Sequence, residues 1–325
     1  MMLKRRLFAS GLAALPLARP AFAQGWAPSQ PVKMVVAYPA GGPTDAIARI
    51  VAADMTGPLG QQVIVDNISG ASGSIGTRQV ARAKPDGLTI TFGNNQTHGN
   101  DMFMLKDPGY DAIKDFEPLA GAGAFEHVFV VRNGLPVKNM QDLIKLAKEK
   151  PGALNFGSTG IGSGSHLSTE LFMARTGIKM THVPYRGAAP LVQDLVGERI
   201  DVSNSTLPSI LAQVKAGTMR AIGICSPKRN PHLPDVPTLE EQGIQGANAS
   251  SWAAFFAPAG TPQPTLDRLS QEILASLKRP AVAGRIDALG FTIELRDPAA
   301  FKPYLAKEIA TWVKIAKDAD VQPEG

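Results

Sequence analysis

The sequence predicts an α/β protein of two lobes, each a sheet flanked by helices and joined by two crossing strands. Three observations carry that prediction. Short apolar runs alternate with helix-period segments along most of the chain, as "VKMVVA" (32–37) does with "AIARIVAADM" (46–55). Several of the turns from strand to helix are rich in Gly, Pro, Ser or Thr. Two long extended runs that carry aromatics, 126–136 and 250–262, stand on either side of a complete α/β set. Alternation of this kind builds parallel sheets covered on both faces. The paired runs are read as the crossings into and out of an inserted second lobe, which places residues 24–128 and 252–325 in the first lobe and 129–251 in the second.

Each element follows from its own pattern. In "AIARIVAADM", Ile47, Ile50 and Val51 fall at i, i+3 and i+4 and make one helix face. "QVIVDN" (62–67) is the next strand. The stretch "GASGSIGTRQVARAKPDG" (70–87) holds a short helix that ends near Lys84, ahead of Pro85, and "LTITFGN" (88–94) is the third strand. Beyond the first crossing come "LNFGS" with helix "HLSTELFMARTG", "MTHVPY" with helix "PLVQDLVG", then "IDVSNS" and "MRAIGIC". Gly177 and Gly197 follow their helices where left-handed backbone is expected. After the second crossing, "LDRLSQEILASLKRP" and "FKPYLAKEIATWVKIAKDA" are amphipathic helices able to pack on the first lobe.

Bulk properties narrow the function classes. Residues 1–23 have a basic start (Lys4, Arg5, Arg6), an apolar middle and an A-x-A cleavage signal at Ala21-Phe22-Ala23, the make-up of an export leader. Arg5-Arg6 followed by Leu7-Phe8 also fits the twin-arginine variant, so both export routes stay open. The chain has 33 basic and 28 acidic residues, net +5, and four of the basic residues lie in the leader beside no acid. The remaining 302 residues of 325 therefore carry only +1, which removes the charge argument for a nucleic-acid partner. No later stretch approaches the roughly 18 apolar residues of a membrane helix, so a soluble exported protein is expected. The single Cys225 sits in the apolar run "AIGIC" and reads as a buried, inert thiol.

The chemistry is concentrated in the turns. "YPAGGPTD" (38–45), "GSTGIGSGSH" (157–166), "PYRGAAP" (184–190) and "SGASGSIG" (69–76) all lead from a strand into a helix. Helix N-termini leave N–H groups unpaired and favour negative charge. Glycine removes the side chain that would hold a ligand away from them. In open α/β sheets such turns gather at the carboxyl ends of the strands, where ligands bind. A set of bare-backbone turns suits one or more carboxylates. Arg186 is the one cation in the first three turns; it either clamps a carboxylate or pairs with an acid such as Asp194, and the structural pairing is the expectation.

Other chemistries lack their motifs. Gly157 and Gly162 have the spacing of a phosphate-binding loop, but Ser163 stands where its lysine belongs. The five histidines, His98, His127, His166, His182 and His232, show no metal-helix spacing. No G-x-S-x-G elbow marks a nucleophile. For His166 a loop-stabilising hydrogen bond and a ligand contact stand side by side; His182 and His232 are expected to be structural.

Taken in order, the leader, "YPAGGPTD", "LTITFGNNQTH", "FGSTGIGSGSHL", "VPYRGAAPLVQDLVGERIDV", "PDVPTLEEQG" and "WAAFFAPAGTP" resemble the extracytoplasmic solute-binding proteins of tripartite tricarboxylate transporters, the Bug family. The resemblance covers nearly all of the chain after the leader. It implies a two-lobed type II periplasmic-binding-protein fold that closes on a small carboxylate, in the periplasm, without cofactor, metal or catalysis. It also implies delivery to a permease of one large and one small subunit, by a receptor expected to be monomeric. The family's first loop falls on Pro39, Ala40, Gly41, Gly42, Thr44 and Asp45, and its facing loop on Ser158, Thr159, Gly160, Gly162, Ser163 and His166. Ser72, Gly73 and Ser74 match a further cleft loop, Thr97 and His98 a pair after the third strand, and Tyr185 and Arg186 the next strand end. One departure stands out: Ser205 occupies the place of a usual aspartate. Its absence leaves no acceptor for a ligand amine and favours a di- or polycarboxylate, or an aromatic acid, over an amino acid. A ligand sensor for a signalling receptor, a secreted α/β hydrolase and a surface adhesion module are the alternatives.

Overall fold

The computed structural model describes residues 26–323; the leader read at residues 1–23 lies outside them. The chain begins with β1 (Val32–Val36), α1 (Pro43–Leu59), β2 (Val63–Asn67), α2 (Ser74–Ala81) and β3 (Thr89–Asn94), with β1 parallel to both neighbours. A wide turn, Gln96–Asn100, and the single turn α3 (Asp101–Met104) lead to β4 (Phe116–Arg132). A second unit follows: α4 (Met140–Glu149), β5 (Asn155–Ser158), α5 (Gly164–Thr176), β6 (Thr181–Pro184), α6 (Ala188–Val196), β7 (Val202–Thr206), α7 (Leu207–Lys215) and β8 (Met219–Ile224). The chain returns through β9 (Ser250–Pro258), α8 (Gln263–Lys278), α9 (Pro280–Asp287), β10 (Thr292–Arg296) and α10 (Pro298–Asp318).

Strand β4 belongs to two sheets. Phe116 to Glu126 pair antiparallel with β9, and β10 also pairs with this half. From His127 to Arg132 the same strand pairs with β7 and β8. One sheet is thus ordered β2-β1-β3-β9-β4, the other β4-β7-β5-β6 with β8 on β4's other side. Both sheets are mixed where wholly parallel ones were expected, because β9 and β10 run against the other strands of the first sheet and β4 runs against those of the second.

Alternation along the strands buries both faces of the first sheet. Met34, Val36, Phe92 and Phe255 join Ile47, Val51 and Ile273 on the α1, α8 and α9 side. Val35 and Phe256 point the other way, to Phe301 and Leu305 of α10. Each large side chain so buried contributes about 1.5–3 kcal/mol. The second unit has its own cores, one around Phe129, Phe156 and Phe172 and one around Val130, Leu195 and Leu207. Helix α10 reaches past its own sheet: Trp312 and Ala316 pack with Leu167 of α5, and Arg175 meets Asp318 at 2.8 Å.

The sequence reading left several elements out. The first half of β4, "FEPLAGAGAF", has small residues where strands usually carry branched ones. Gly121 and Gly123 are required there, since a Cβ would run into Phe301 and into the Thr292 carbonyl of β10. Helices α4, α7 and α9 and strand β10 also went unread. Gly177 is left-handed (φ 67°) as expected, but Gly197 is not (φ −76°). The left-handed residue falls one position later, at Glu198 (φ 58°), whose carboxylate accepts from the Gly134 N–H and pairs with Arg132. Cys225 is buried, which pushes its thiol up to about 12.

Candidate functional site

Four helices begin at one cavity between the two sheets. It encloses about 670 Å³ including its mouth. Gly42, Pro43 and Thr44 bring the start of α1, and Ser163, Gly164 and Ser165 that of α5. Gly187, Ala188 and Ala189 bring α6, and Thr206 and Ser209 bring α7. Helices α1, α6 and α7 have no side-chain cap, so their first N–H groups are left for solvent or a ligand. Among the described residues no Arg, Lys, Asp or Glu lines this cavity. Its field is therefore set by helix ends and neutral donors, which favours an anion.

Each turn is fastened from behind. Asp45 is buried and accepts from the Gly41 N–H (3.0 Å), Arg49 and Asn67 Nδ2 (3.0 Å). Burial alone would raise its pKa, but these partners outweigh that and hold the carboxyl below its usual range. In the facing turn the Thr159 N–H donates to Ser165 Oγ (3.0 Å) and the Gly162 N–H to His166 Nδ1 (3.2 Å). Ser158 Oγ lies 2.6 Å from His182 Nε2, and the His182 ring stacks between Phe156 and His166.

Strands β4 and β9 close the inner end. His127 of β4 and Ser251 of β9 line the cavity with Nε2 and Oγ 2.7 Å apart. Nδ1 of the same ring lies 3.4 Å from the Asn204 carbonyl. Burial pulls His127 down to about 4, so it is neutral at pH 7. Asn95 also lines the cavity and is 2% exposed, with no partner for its Nδ2. Gly164 fits between them: a Cβ there would strike Ser251 Oγ and come within 3.1 Å of His127 Nε2 and 3.2 Å of Asn95 Nδ2.

Of the residues singled out in the sequence, Pro39, Gly42, Thr44, Thr159 and Ser163 line this cavity. Ser72, Gly73, Gly160, Tyr185 and Arg186 line a neighbouring one of about 630 Å³, which shares Tyr38 and Thr159 with the first. Arg186 is exposed there and does not pair with Asp194, which is taken by the Tyr185 hydroxyl and Arg199. The rest lie outside both linings. Ala40 and Gly41 are exposed, while Asp45, Gly162 and His166 act within their turns. Ser74 is buried at the start of α2. Ser158 and Ser205 are buried among loop and strand partners, Ser205 Oγ lying 2.8 Å from Ser203 Oγ. Thr97 and His98 belong to the first lobe's core: Thr97 Oγ1 meets His98 Nδ1 at 2.9 Å, and His98 stacks on Phe256 at 4.0 Å. Asn94, Asn95 and Gln96, just before them, reach the cavity instead. Tyr38, Phe125, His127, Thr206, Ser209 and Ser251 were also missed, whereas Gly187, which follows Tyr185 and Arg186 in the family motif, does line the cavity. Tyr38 was visible at the edge of a quoted turn; His127 and Ser251 had only their place in the two crossing runs as a signal.

Residues 47–321 match the family described as tripartite tricarboxylate transporter family receptor. A protein from the tcbD-tcbE intergenic region of Pseudomonas sp. (strain P51) is 37% identical over 289 residues, 89% of this chain and 86% of that one. An R. palustris protein solved with adipate superposes with a TM-score of 0.89 at 34% identity, covering 91% of this chain and 99% of that one. MatC of Rhodopseudomonas palustris, solved with bound malate, superposes at 0.84 with 30% identity, covering 89% and 99%. The chain belongs to the tripartite tricarboxylate transporter receptor family, whose members are solute-binding receptors and not enzymes.

Proposed function

We propose that this receptor captures a small dicarboxylate in the cavity between its lobes, in the periplasm, and hands it to a membrane permease of a large and a small subunit. The observation that carries the reading is the meeting of four helix starts on a cavity lined by no charged side chain. One acid group of the ligand is held by the free N–H groups of α1 and α6, with Thr44 and Ser163 as hydroxyl donors. The lobe division at residues 128/129 and 251/252 puts the hinge within two residues of the point, between Glu126 and His127, where β4 passes from one sheet to the other. Closure about it brings Pro39 against Gly187 and Ser72 against Gly160. The adipate and malate bound by the two R. palustris proteins are dicarboxylates, in keeping with this choice.

An amino acid is disfavoured because, among the described residues, no acidic side chain lines the cavity to receive an ammonium group. Calorimetry with C4 to C6 dicarboxylates, matched monocarboxylates and amino acids tests the assignment. Micromolar or tighter binding of a dicarboxylate is the expected result, and tight binding of a zwitterionic amino acid alone would refute it. Affinity is expected to change less than about threefold between 50 and 500 mM NaCl, because the closed cavity excludes screening ions.

A further inference from the structure

The inner end of the cavity has a hydrogen-bonding pattern that the helix starts do not share. The Asn204 carbonyl can only accept, so the neutral His127 ring carries its proton on Nδ1 and presents Nε2 as an acceptor. The Ser251 hydroxyl therefore donates to Nε2 and turns its lone pairs outward. Opposite stands the unpartnered Nδ2 of Asn95, a donor buried to 2%. One donor beside one or two acceptors is the complement of a carboxylic acid or a primary amide. It is a poor complement of a carboxylate, which can only accept.

Among the described residues no charged side chain is in contact with the ring to alter this. The elements packed around it bring Asn204 from β7, Ser251 from β9, Asn95 from the turn after β3 and Gly164 from α5. Glu126, its chain neighbour, is engaged by Asn230 Nδ2, and Cys225 is a buried neutral thiol whose N–H donates to the His127 carbonyl.

Building on the dicarboxylate reading above, we propose that Asn95, His127 and Ser251 form a subsite that accepts the ligand's second acid group together with one proton. The first carboxylate stays ionised at the helix starts. The second enters as the acid, or as a carboxylate beside a newly protonated His127, and in either case the buffer supplies the proton. A dicarboxylate is then captured as its monoanionic equivalent, and the matched monoamide fits the same subsite with no proton.

Calorimetry of the full mature chain in buffers of different ionisation enthalpy counts the protons, with adipate, succinate and their monoamides as probes. The better-bound diacid is expected to take up about one proton per mole at pH 7.5, its Kd rising about tenfold per pH unit above neutrality. The monoamide is expected to take up none and to bind with an affinity flat from pH 6.5 to 8.5. Asn95→Ala should lower the ratio of diacid to monoacid affinity by at least about tenfold, the loss of a donor to a desolvated acid group. Diacid binding without proton uptake, at an affinity independent of pH, overturns the subsite and leaves the receptor reading intact. Absence of binding by every carboxylate overturns both.

Discussion

Gly187 marks one of the points where the lobes touch. Its φ is 137°, and a Cβ would stand 3.3 Å from Pro39 Cδ across the cleft. Gly187→Val combines backbone strain with a wedge between the lobes. It is expected to weaken dicarboxylate binding at least tenfold in calorimetry while the folded chain persists; unchanged affinity would show that the lobes need not meet there. Asp45 acts at the same scale but through the turn. Asp45→Ala leaves the Gly41 N–H, Arg49 Nε and Asn67 Nδ2 without this acceptor, and a loss of about 1–3 kcal/mol in urea denaturation is expected. The glycines, serines and prolines of these turns were legible because backbone exposure demands those residue types. Asn95, His127 and Ser251 were not, because their roles arise only when β3, β4 and β9 meet. Thr97 and His98 show the reverse: polar residues beside the cleft that turn inward to pack on Phe256.

At the scale of elements, β4 joins the halves. Its first half is built for close approach: Gly123 has φ 152° and lies against the Thr292 carbonyl and the Glu294 N–H. Gly123→Ala is expected to push β10 away and cost about 1–3 kcal/mol of stability; a urea midpoint equal to wild type would contradict the contact. That same glycine content hid this half of β4 in the sequence, whereas "HVFVVR" announced the other half through its branched and aromatic residues. Helices α1, α5 and α6 were legible because their apolar spacing follows a turn. Helices α7 and α9 are short and β10 is five residues long, so local pattern carried less signal there; α4 was passed over although Asn139 caps its start and Met140, Leu143 and Ala147 make one buried face.

At the scale of the whole molecule three histidines are held neutral, His98 and His127 buried and His182 half-buried. Burial pulls His98 down to about 3, His127 to about 4, and His182, also beside His166, to about 3. Below pH 6.5 the unfolded chain takes up protons at these rings that the folded chain refuses, so stability falls as pH drops. Asp101 opposes this: its buried carboxyl has a raised pKa and holds a proton in the fold that the unfolded chain releases above about 4. Three rings against one carboxyl leave a net uptake of about two protons on unfolding near pH 5, so stability falls with pH there. Urea midpoints measured from pH 7 to 4.5 should fall accordingly, and His98→Phe should flatten the decline; a midpoint independent of pH would contradict the neutral rings. The two-lobed plan was legible from the paired crossing runs, while the sharing of β4 between sheets required the pairing partners themselves.

The most direct measurement is a crystal structure of the receptor with the dicarboxylate it binds best. One acid group should lie within about 3 Å of main-chain N–H groups at the starts of α1 and α6, inside the cavity lined by Pro39, Thr44, Ser163 and Gly187. A ligand whose acid groups are both held by cationic side chains such as Arg186, with those helix starts left to water, would contradict the account.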